Sequence, residues 1–214
     1  MSELTVLDGP DLRRADAATV FVGQRHVPNR ADAHRELERT AVEWSSVPWP
    51  AGILSFSCYL SVEEDTVLTY VQCAGGNSAQ LFVRSFHERA GAGSVEYRLT
   101  RSVLPPGSSG SPACVVIATF DVDGAERQER VVSSLVEALD GMPPEQSPGM
   151  LSANFHASID GTRVLNYAEW TSDDAHLAFL DSATRVTTMR VSGDVPGVRP
   201  IGFKRYHLHR SITV

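Results

Sequence analysis

The stretch MLSANFHASIDGTRVLNYAEW, Met150–Trp170, contains two runs of alternating side-chain polarity separated by the dipeptide Asp160-Gly161. Such alternation is typical of β-strands, and an Asp-Gly pair favours a tight hairpin because glycine adopts positive φ without strain. The stretch therefore predicts a β-hairpin. When Gly149–Ser182 is aligned without gaps on Gly52–Ser85, identical residues stand at nine of 34 positions, which indicates that the hairpin occurs twice.

The segments around each hairpin repeat in the same order. Each hairpin is preceded by a β-branched run that predicts a strand, VFVGQRHV at Val20–Val27 and CVVIATFDV at Cys114–Val122. The first hairpin itself begins with ILSFSCYLSV, Ile53–Val62. Between the run and the hairpin, apolar residues recur at spacings of three and four, which predicts a helix. These helices are predicted at Arg30–Trp44 and Ala125–Leu139. A further helix and a last strand follow each hairpin, and the last strands are predicted at Tyr97–Val103 and Tyr206–Ile212. The resulting order, βαββαβ, is that of a ferredoxin-like unit with both helices on one face of an antiparallel sheet.

A linker near the middle of the chain separates the two predicted units. Leu104–Ala113 reads LPPGSSGSPA, a composition that favours an open connection. We therefore expect an N-terminal ferredoxin-like unit over residues 1–104, a linker over 105–112 and a C-terminal unit over 113–214. The helix-free face of each sheet needs a cover, which a second copy can supply. The predicted fold class is α+β, with tandem ferredoxin-like units forming an intramolecular dimeric α/β-barrel.

The composition argues against several classes of function. A formal net charge of −7 is unsuited to a surface that binds phosphate backbones, so we expect no nucleic-acid partner. No apolar run approaches the roughly 18 residues needed to cross a bilayer, and no signal peptide is evident, so we expect a cytoplasmic protein with no membrane partner. The three cysteines, Cys58, Cys73 and Cys114, lack C-x-x-C spacing and indicate neither a disulfide framework nor a zinc site.

The second hairpin and the helix after it contain a set of polar and aromatic side chains that the first copy does not have at the aligned positions. Asn166 and Trp170 share one face of their predicted strand, since side chains alternate along a strand. Asn154 and His156 share a face of the preceding strand, and His176 follows in the next helix. We expect these residues to converge on one site. The first copy has Thr69, Cys73, Tyr59 and Ala79 at the positions aligned with Asn166, Trp170, His156 and His176.

The chemistry of these side chains suits a flat ligand rich in oxygen atoms. The amide of Asn166 can donate a hydrogen bond to an oxyanion, while Trp170 offers an aromatic face and an indole N–H. A histidine exchanges protons near neutral pH, so His156 or His176 is the candidate base or proton carrier, and the sequence does not decide between them. We expect Asn154 to take part in substrate binding.

The sequence contains no motif for a common cofactor. Neither a dinucleotide-binding nor a P-loop glycine pattern is present. His207 and His209 would share a strand face, but the sequence offers no third metal ligand nearby. We therefore expect no cofactor and no bound metal.

The segment SANFHASIDGTRVLNYAEWTSDDAH, Ser152–His176, resembles the antibiotic biosynthesis monooxygenase family. This family includes cofactor-free anthrone oxygenases of aromatic polyketide pathways, whose ferredoxin-like units pair. The resemblance implies a fused pair with one working pocket, because the first half lacks the motif. It implies that Asn166 and Trp170 bind the substrate's carbonyl or phenolate oxygens and the reduced oxygen species. Arg190 would be a pocket arginine that binds substrate, and His176 stands where relatives place a proton-carrying tyrosine.

The resemblance implies a cofactor-independent monooxygenase that oxidises an anthrone-type aromatic polyketide to a quinone, with O2 as co-substrate. The partner would be this small molecule, and two fused chains could pair again as a homodimer. Two alternatives stay open: a polyketide cyclase that works by acid and base, and a non-catalytic protein that binds a polyketide intermediate. Haem degradation is not favoured, because Leu180 stands where an iron-binding histidine would be expected.

Overall fold

The computed structural model describes residues 4–141, 143 and 148–214. Within this part of the chain there are nine β-strands and five α-helices. No helix among these residues combines the length and the apolar character needed to cross a membrane.

The order of the elements repeats along the chain. The first half contains β1 (Thr5–Leu7), β2 (Thr19–His26), α1 (Arg30–Ser46), β3 (Ile53–Ser61), β4 (Thr66–Cys73), α2 (Asn77–Arg89) and β5 (Ser94–Val103). The second half contains β6 (Cys114–Val122), α3 (Ala125–Asp140), β7 (Met150–Ser158), β8 (Arg163–Trp170), α4 (Asp173–Leu180), α5 (Ala183–Gly193) and β9 (Val198–Thr213). Helices α1 and α3 and strands β3, β6 and β7 begin at the residues predicted from the sequence.

Each half has the strand order of a ferredoxin-like unit. Strands of the first half neighbour one another in the order β5-β2-β4-β3, and those of the second half in the order β9-β6-β8-β7. The central pairs β2–β4 and β6–β8 and the hairpins β3–β4 and β7–β8 are antiparallel. The predicted α+β fold class with ferredoxin-like units in tandem is confirmed.

The boundaries of the compact units lie inside two strands. One unit contains residues 4–98 and Tyr206–Val214, and the other contains Leu99–Arg205. These boundaries divide β5 and β9, so they differ from the predicted division into residues 1–104 and 113–214. The reason is that β9 is 16 residues long, and its end pairs with β3 over Ser55–Ser61. We call the two parts the first unit and the second unit.

The hairpins of the two units have the same register. Cys58 lies opposite Thr69 in the first unit, and Phe155 lies opposite Asn166 in the second. Both ladders shift near their start, at Ile53/Ser55 and at Met150/Ser152. The alignment of the two halves from sequence therefore pairs residues that occupy equivalent places in the hairpins.

The region after β8 differs from the sequence prediction. A single helix was expected there, but the structure has two, α4 and α5. The side chain of Ser172 accepts a hydrogen bond from the Ala175 amide at the start of α4, and Ser182 accepts one from the Arg185 amide at the start of α5. Each serine satisfies an N–H group that a helix start leaves unpaired. The chain therefore begins a separate helix, α5, after Ser182.

Candidate active site

A cavity lies between the sheet and the helices of the second unit. Its volume is about 140 Å³. Strands β6, β7 and β8 form one wall, and α3, α4, α5 and the start of β9 form the others. The helix-covered side of the sheet therefore contains the space that could hold a ligand, with apolar walls and few polar groups, as in most small-molecule sites.

Strand β8 directs Asn166 and Trp170 into this cavity. Alternation along the strand places Asn166, Ala168 and Trp170 on one face, and all three line the cavity. On β7 the lining residues are Met150, Ala153 and Phe155, which pair with Trp170, Ala168 and Asn166 across the hairpin. The sequence prediction that Asn166 and Trp170 share a face agrees with this geometry.

Three polar atoms on the cavity wall are buried and have no hydrogen-bond partner within the described residues. They are Oδ1 of Asn166, Nε1 of Trp170 and Nδ1 of His176. Buried polar atoms in native proteins are nearly always hydrogen-bonded, to protein, water or ligand. Their grouping on one cavity indicates a ligand that supplies both donors and acceptors.

Aromatic rings form the end of the cavity around His176. The Trp170 ring is 5.2 Å from the His176 ring and 5.1 Å from the Phe179 ring, measured between centroids. Phe203 of β9 approaches His176 edge-on, with centroids 5.3 Å apart. Offset and edge-on ring contacts of this kind favour binding of a planar aromatic molecule.

His176 is neutral at physiological pH. It projects from α4 and is only 3 % exposed. Burial lowers the pKa of its imidazole to about 4, and the positive charges of Arg205 and Arg185 lower it further, whereas Asp173 opposes the shift. A neutral imidazole can donate or accept a hydrogen bond, but it is a weak base in the empty cavity.

Arg185 brings a positive charge to the cavity. It lies on α5 with Thr188, Met189 and Ser192, which also line the cavity and recur at helical spacing. The guanidinium carbon is 5.9 Å from the centroid of the Phe203 ring. Burial lowers the pKa of this guanidinium, although an arginine remains charged. Arg185 was not predicted as a site residue because the sequence pattern did not predict α5.

Arg190 does not line the cavity, contrary to the prediction. It lies near the end of the same helix and is exposed to solvent. The cavity-facing positions of α5 are 185, 188, 189 and 192, and residue 190 falls outside that stripe because a helix turns about 100° per residue. The pocket arginine of this structure is therefore Arg185.

His156 and Asn154 lie on the opposite face of β7 from the cavity. His156 pairs with Leu165 and Asn154 pairs with Tyr167, so both share the face that points away from Asn166. The expected convergence of these two residues with Asn166 is therefore wrong. His156 is fully buried, and its Nδ1 lies 3.0 Å from the carbonyl oxygen of Asn154. Burial lowers the pKa of His156 to about 4, and hydrogen bonds to backbone groups oppose this shift.

Asn154 belongs to a hydrogen-bonded network that is part of the scaffold. Its amide donates to Ser152 Oγ and to the Tyr167 carbonyl, and its Oδ1 accepts from Ser102 Oγ. Ser152 in turn donates to Glu169 at 2.6 Å. The first unit has the same arrangement, in which Ser55 donates to Gln72 at 2.6 Å. A polar pair present in both units is better explained by sheet structure than by a ligand site in one of them.

The described residues contain no group of three or more His, Cys, Asp and Glu side chains that could hold a metal ion. The cysteines are buried, and burial raises the pKa of the Cys58, Cys73 and Cys114 thiols to about 12. A thiol with so high a pKa is a poor nucleophile at neutral pH. Among the described residues, the cavity in the second unit is therefore the best candidate for a functional site.

Comparison with known proteins gives a partial match in sequence. No family model matches the chain. The chain is similar to a Tetracenomycin-F1 monooxygenase from Streptomyces glaucescens. The two are 35 % identical over 65 residues, which is 29 % of this chain and 57 % of the relative. The match thus spans little more than half the length of that relative.

Solved structures show the same fold over almost the whole chain. An anthrone oxidase-like protein is similar with a TM-score of 0.74 and 14 % identity, over 92 % of this chain and 93 % of that one. A ferredoxin fold protein related to antibiotic biosynthesis monooxygenases, from Listeria monocytogenes, is similar with a TM-score of 0.52 and 12 % identity, over 90 % and 95 % of the two chains. At these identities the likeness shows a shared fold.

Proposed function

We propose that the second unit is a cofactor-independent monooxygenase that oxidises an anthrone-type aromatic polyketide to a quinone with O2. The observation that supports this proposal best is a set of three polar atoms, on Asn166, Trp170 and His176, in a cavity with aromatic rings in its wall. None of the three has a hydrogen-bond partner in the part of the chain that the structure describes. A planar molecule that carries hydroxyl and carbonyl groups on its edge would supply both the donors and the acceptors that these atoms need. The partial sequence match to a monooxygenase agrees with this chemistry.

An anthrone supplies its own reducing power. Loss of a benzylic proton gives an electron-rich enolate, which passes one electron to O2. The carbon radical and the reduced oxygen species then combine to a peroxide at the former CH2 carbon, and loss of water leaves a second carbonyl group. In sum, anthrone and O2 give quinone and water, so no external electron donor is needed.

The side chains of the cavity would have distinct roles in this reaction. The indole N–H of Trp170 and the side-chain amide N–H groups of Asn166 would donate to the substrate's oxygen atoms, and such preorganised donors stabilise developing negative charge. Oδ1 of Asn166 only accepts hydrogen bonds, so it would pair with a hydroxyl group of the substrate. His176 would accept or donate a proton when the peroxide collapses, because its Nδ1 has no hydrogen-bond partner among the described residues. The apolar walls would exclude bulk water from the anion and the radical.

Oxygen uptake tests the proposal directly. The full chain is incubated with a tricyclic or tetracyclic anthrone, and O2 consumption and quinone formation are recorded against the rate without protein. We expect one O2 consumed for each quinone formed, and no conversion under argon. Conversion without O2 would indicate a polyketide cyclase instead. Tight binding without any turnover in air would indicate a non-catalytic binding protein.

A further inference from the structure

Arg185 is a partly buried positive charge that has no counter-ion among the described residues. No ion pair joins its guanidinium to a carboxylate within the described residues. The guanidinium lies over the face of the Phe203 ring, which gives a cation–π contact. Burial alone lowers the pKa of this group, with no opposing contribution from an acidic side chain. A guanidinium that is partly removed from water is stabilised by a counter-ion, so we expect an anionic ligand to supply one.

The charge balance of the cavity favours an anion. The described residues that line it include no Asp or Glu, and Arg185 is their one charged side chain. Asp173 of α4 is not among the lining residues, and its carboxylate lies 3.8 Å from the guanidinium of Arg205. His176 is neutral and cannot offset the charge of Arg185. An anionic ligand would therefore meet one uncompensated cation and no repelling carboxylate.

We infer that Arg185 makes the cavity bind its aromatic ligand as the deprotonated phenolate or enolate. This inference deepens the proposed function and rests on it for the identity of the ligand. The O–H bond of the phenol or of the enol tautomer breaks, its electron pair stays on oxygen, and the proton leaves to water. Phe203 and Met189, which are half-exposed and line the cavity beside Arg185, mark where water reaches it.

This role explains how the cavity can work without a strong base. His176 is too weak a base to remove a proton from an uncharged phenol or anthrone by itself. A positive charge near the developing oxyanion lowers the free energy of the anion relative to the neutral ligand. Arg185 is thus a catalytic residue in the proposed reaction, because it would touch the substrate oxygen and raise the population of the form that reacts with O2.

A coloured ligand tests the inference without turnover. The probe is 1,2-dihydroxyanthraquinone, a planar tricyclic quinone whose phenolate absorbs at longer wavelength than the phenol. Its absorbance is titrated against pH, free and bound to the full chain. Because an opposite charge at close range favours the ionised form, the acid dissociation constant of the bound dye should rise about tenfold or more.

Variants assign the effect to Arg185. In R185Q we expect most of the rise in the acid dissociation constant of the bound dye to be lost. In R185K we expect much of this rise to be kept, because the positive charge remains. R190Q is the matched control on the same helix, and the bound dye should behave there as in the unmodified chain. Circular dichroism checks that each variant is folded. If R185Q does not fold, the acid dissociation constant of the bound dye is compared between R185K and R190Q instead.

The outcomes separate this inference from the proposed function. An unmodified chain that does not bind the dye, or that leaves its acid dissociation constant unchanged, overturns the inference. Equal behaviour of R185Q and R190Q overturns it as well. A shift that depends on Arg185 supports it even if no anthrone is oxidised, in which case only the proposed reaction fails.

Discussion

Trp44 lies flat against Phe56 in the first unit, with ring centroids 4.5 Å apart and an interplanar angle of 10°. The second unit has Leu139 and Ala153 at the equivalent positions. Trp44 and Leu139 are the last buried residues of α1 and α3, and Phe56 and Ala153 occupy the same place in the two hairpin registers. The smaller pair leaves open the space that becomes the cavity, so the two units share a fold but differ in the volume of their cores.

Replacement of Ala153 by Phe should close the cavity. The new ring would occupy the space that Phe56 occupies in the first unit, so the affinity for 1,2-dihydroxyanthraquinone should fall by about tenfold or more. The midpoint of thermal unfolding should not fall, since the ring enters empty space and displaces no packed atoms. Fluorescence titration and a thermal melt measure the two effects.

Phe56→Ala is the matched control for Ala153→Phe. It removes a buried ring from the first unit and should cost about 3–5 kcal/mol of unfolding free energy, because it leaves a cavity. The affinity for the dye at temperatures where the variant is folded should be unchanged. Undiminished dye binding by A153F would contradict the assignment of the cavity as the ligand site.

Most of the fold was predictable because its signals are local. Strand β6 covers the same residues as the predicted run, and α1 and α3 begin where the apolar spacing predicts. Helix α5 was missed because its sequence, ATRVTTMRVSG, has scattered apolar residues and two adjacent threonines, which give no clear helix face. The division of β5 and β9 between the units depends on pairing between distant segments, which no local pattern reveals.

The candidate site was predictable only in part, and for a different reason. Alternation fixes which residues of one strand share a face, and this placed Asn166 and Trp170 together correctly. It does not fix the pairing of two strands, so His156 was wrongly grouped with Asn166. The length of the hairpin turn would have fixed this pairing. A two-residue turn at Asp160-Gly161 places Phe155, and not His156, opposite Asn166, as observed.

Asn166→Ala should slow the oxidation of an anthrone strongly. Loss of one donor to a developing oxyanion typically lowers kcat by about 100-fold or more. Asn77→Ala, at the exposed start of α2, removes the same amide from the first unit and should leave kcat unchanged. Steady-state quinone formation under air measures both. A kcat for N166A within a factor of about two of the unmodified value would count against the role of the amide.

Trp170→Phe separates the indole N–H from the aromatic face. The variant keeps a ring against His176 but loses the unpaired donor, so kcat should fall by about ten- to 100-fold, as expected for a hydrogen bond to a charged group. Trp49→Phe is the control, because Trp49 lies in the first unit and donates to the Trp44 carbonyl. If W170F and W49F have the same kcat, the N–H group plays no part in the reaction.

The pKa of His176 should respond to Arg185 and not to Arg190. In the unmodified chain we expect a value of about 4, measured by an NMR titration of the imidazole. Removal of the nearby positive charge in R185Q stabilises the imidazolium ion, so the pKa of His176 should rise. R190Q should leave it unchanged because Arg190 lies outside the cavity. A value that is the same in R185Q and R190Q would show that Arg185 exerts no field at this ring.

The buried His156 should make the chain less stable in mild acid. The pKa of its imidazole is about 4 in the folded chain, below the value of about 6.5 in an unfolded chain. Between these two pH values the unfolded state binds more protons, so the free energy of unfolding rises with pH through this window and falls as the pH drops from about 6.5 to about 4. One such group contributes at most about 1.4 kcal/mol per pH unit.

The variant H156Q tests this prediction because it lacks the titrating imidazole. The free energy of unfolding, measured with urea across this pH window, should depend less steeply on pH in H156Q than in the unmodified chain, whatever the stability of the variant at neutral pH. Equal slopes would mean that His156 is protonated in the folded chain or exposed to water, which would contradict its role as a buried neutral histidine.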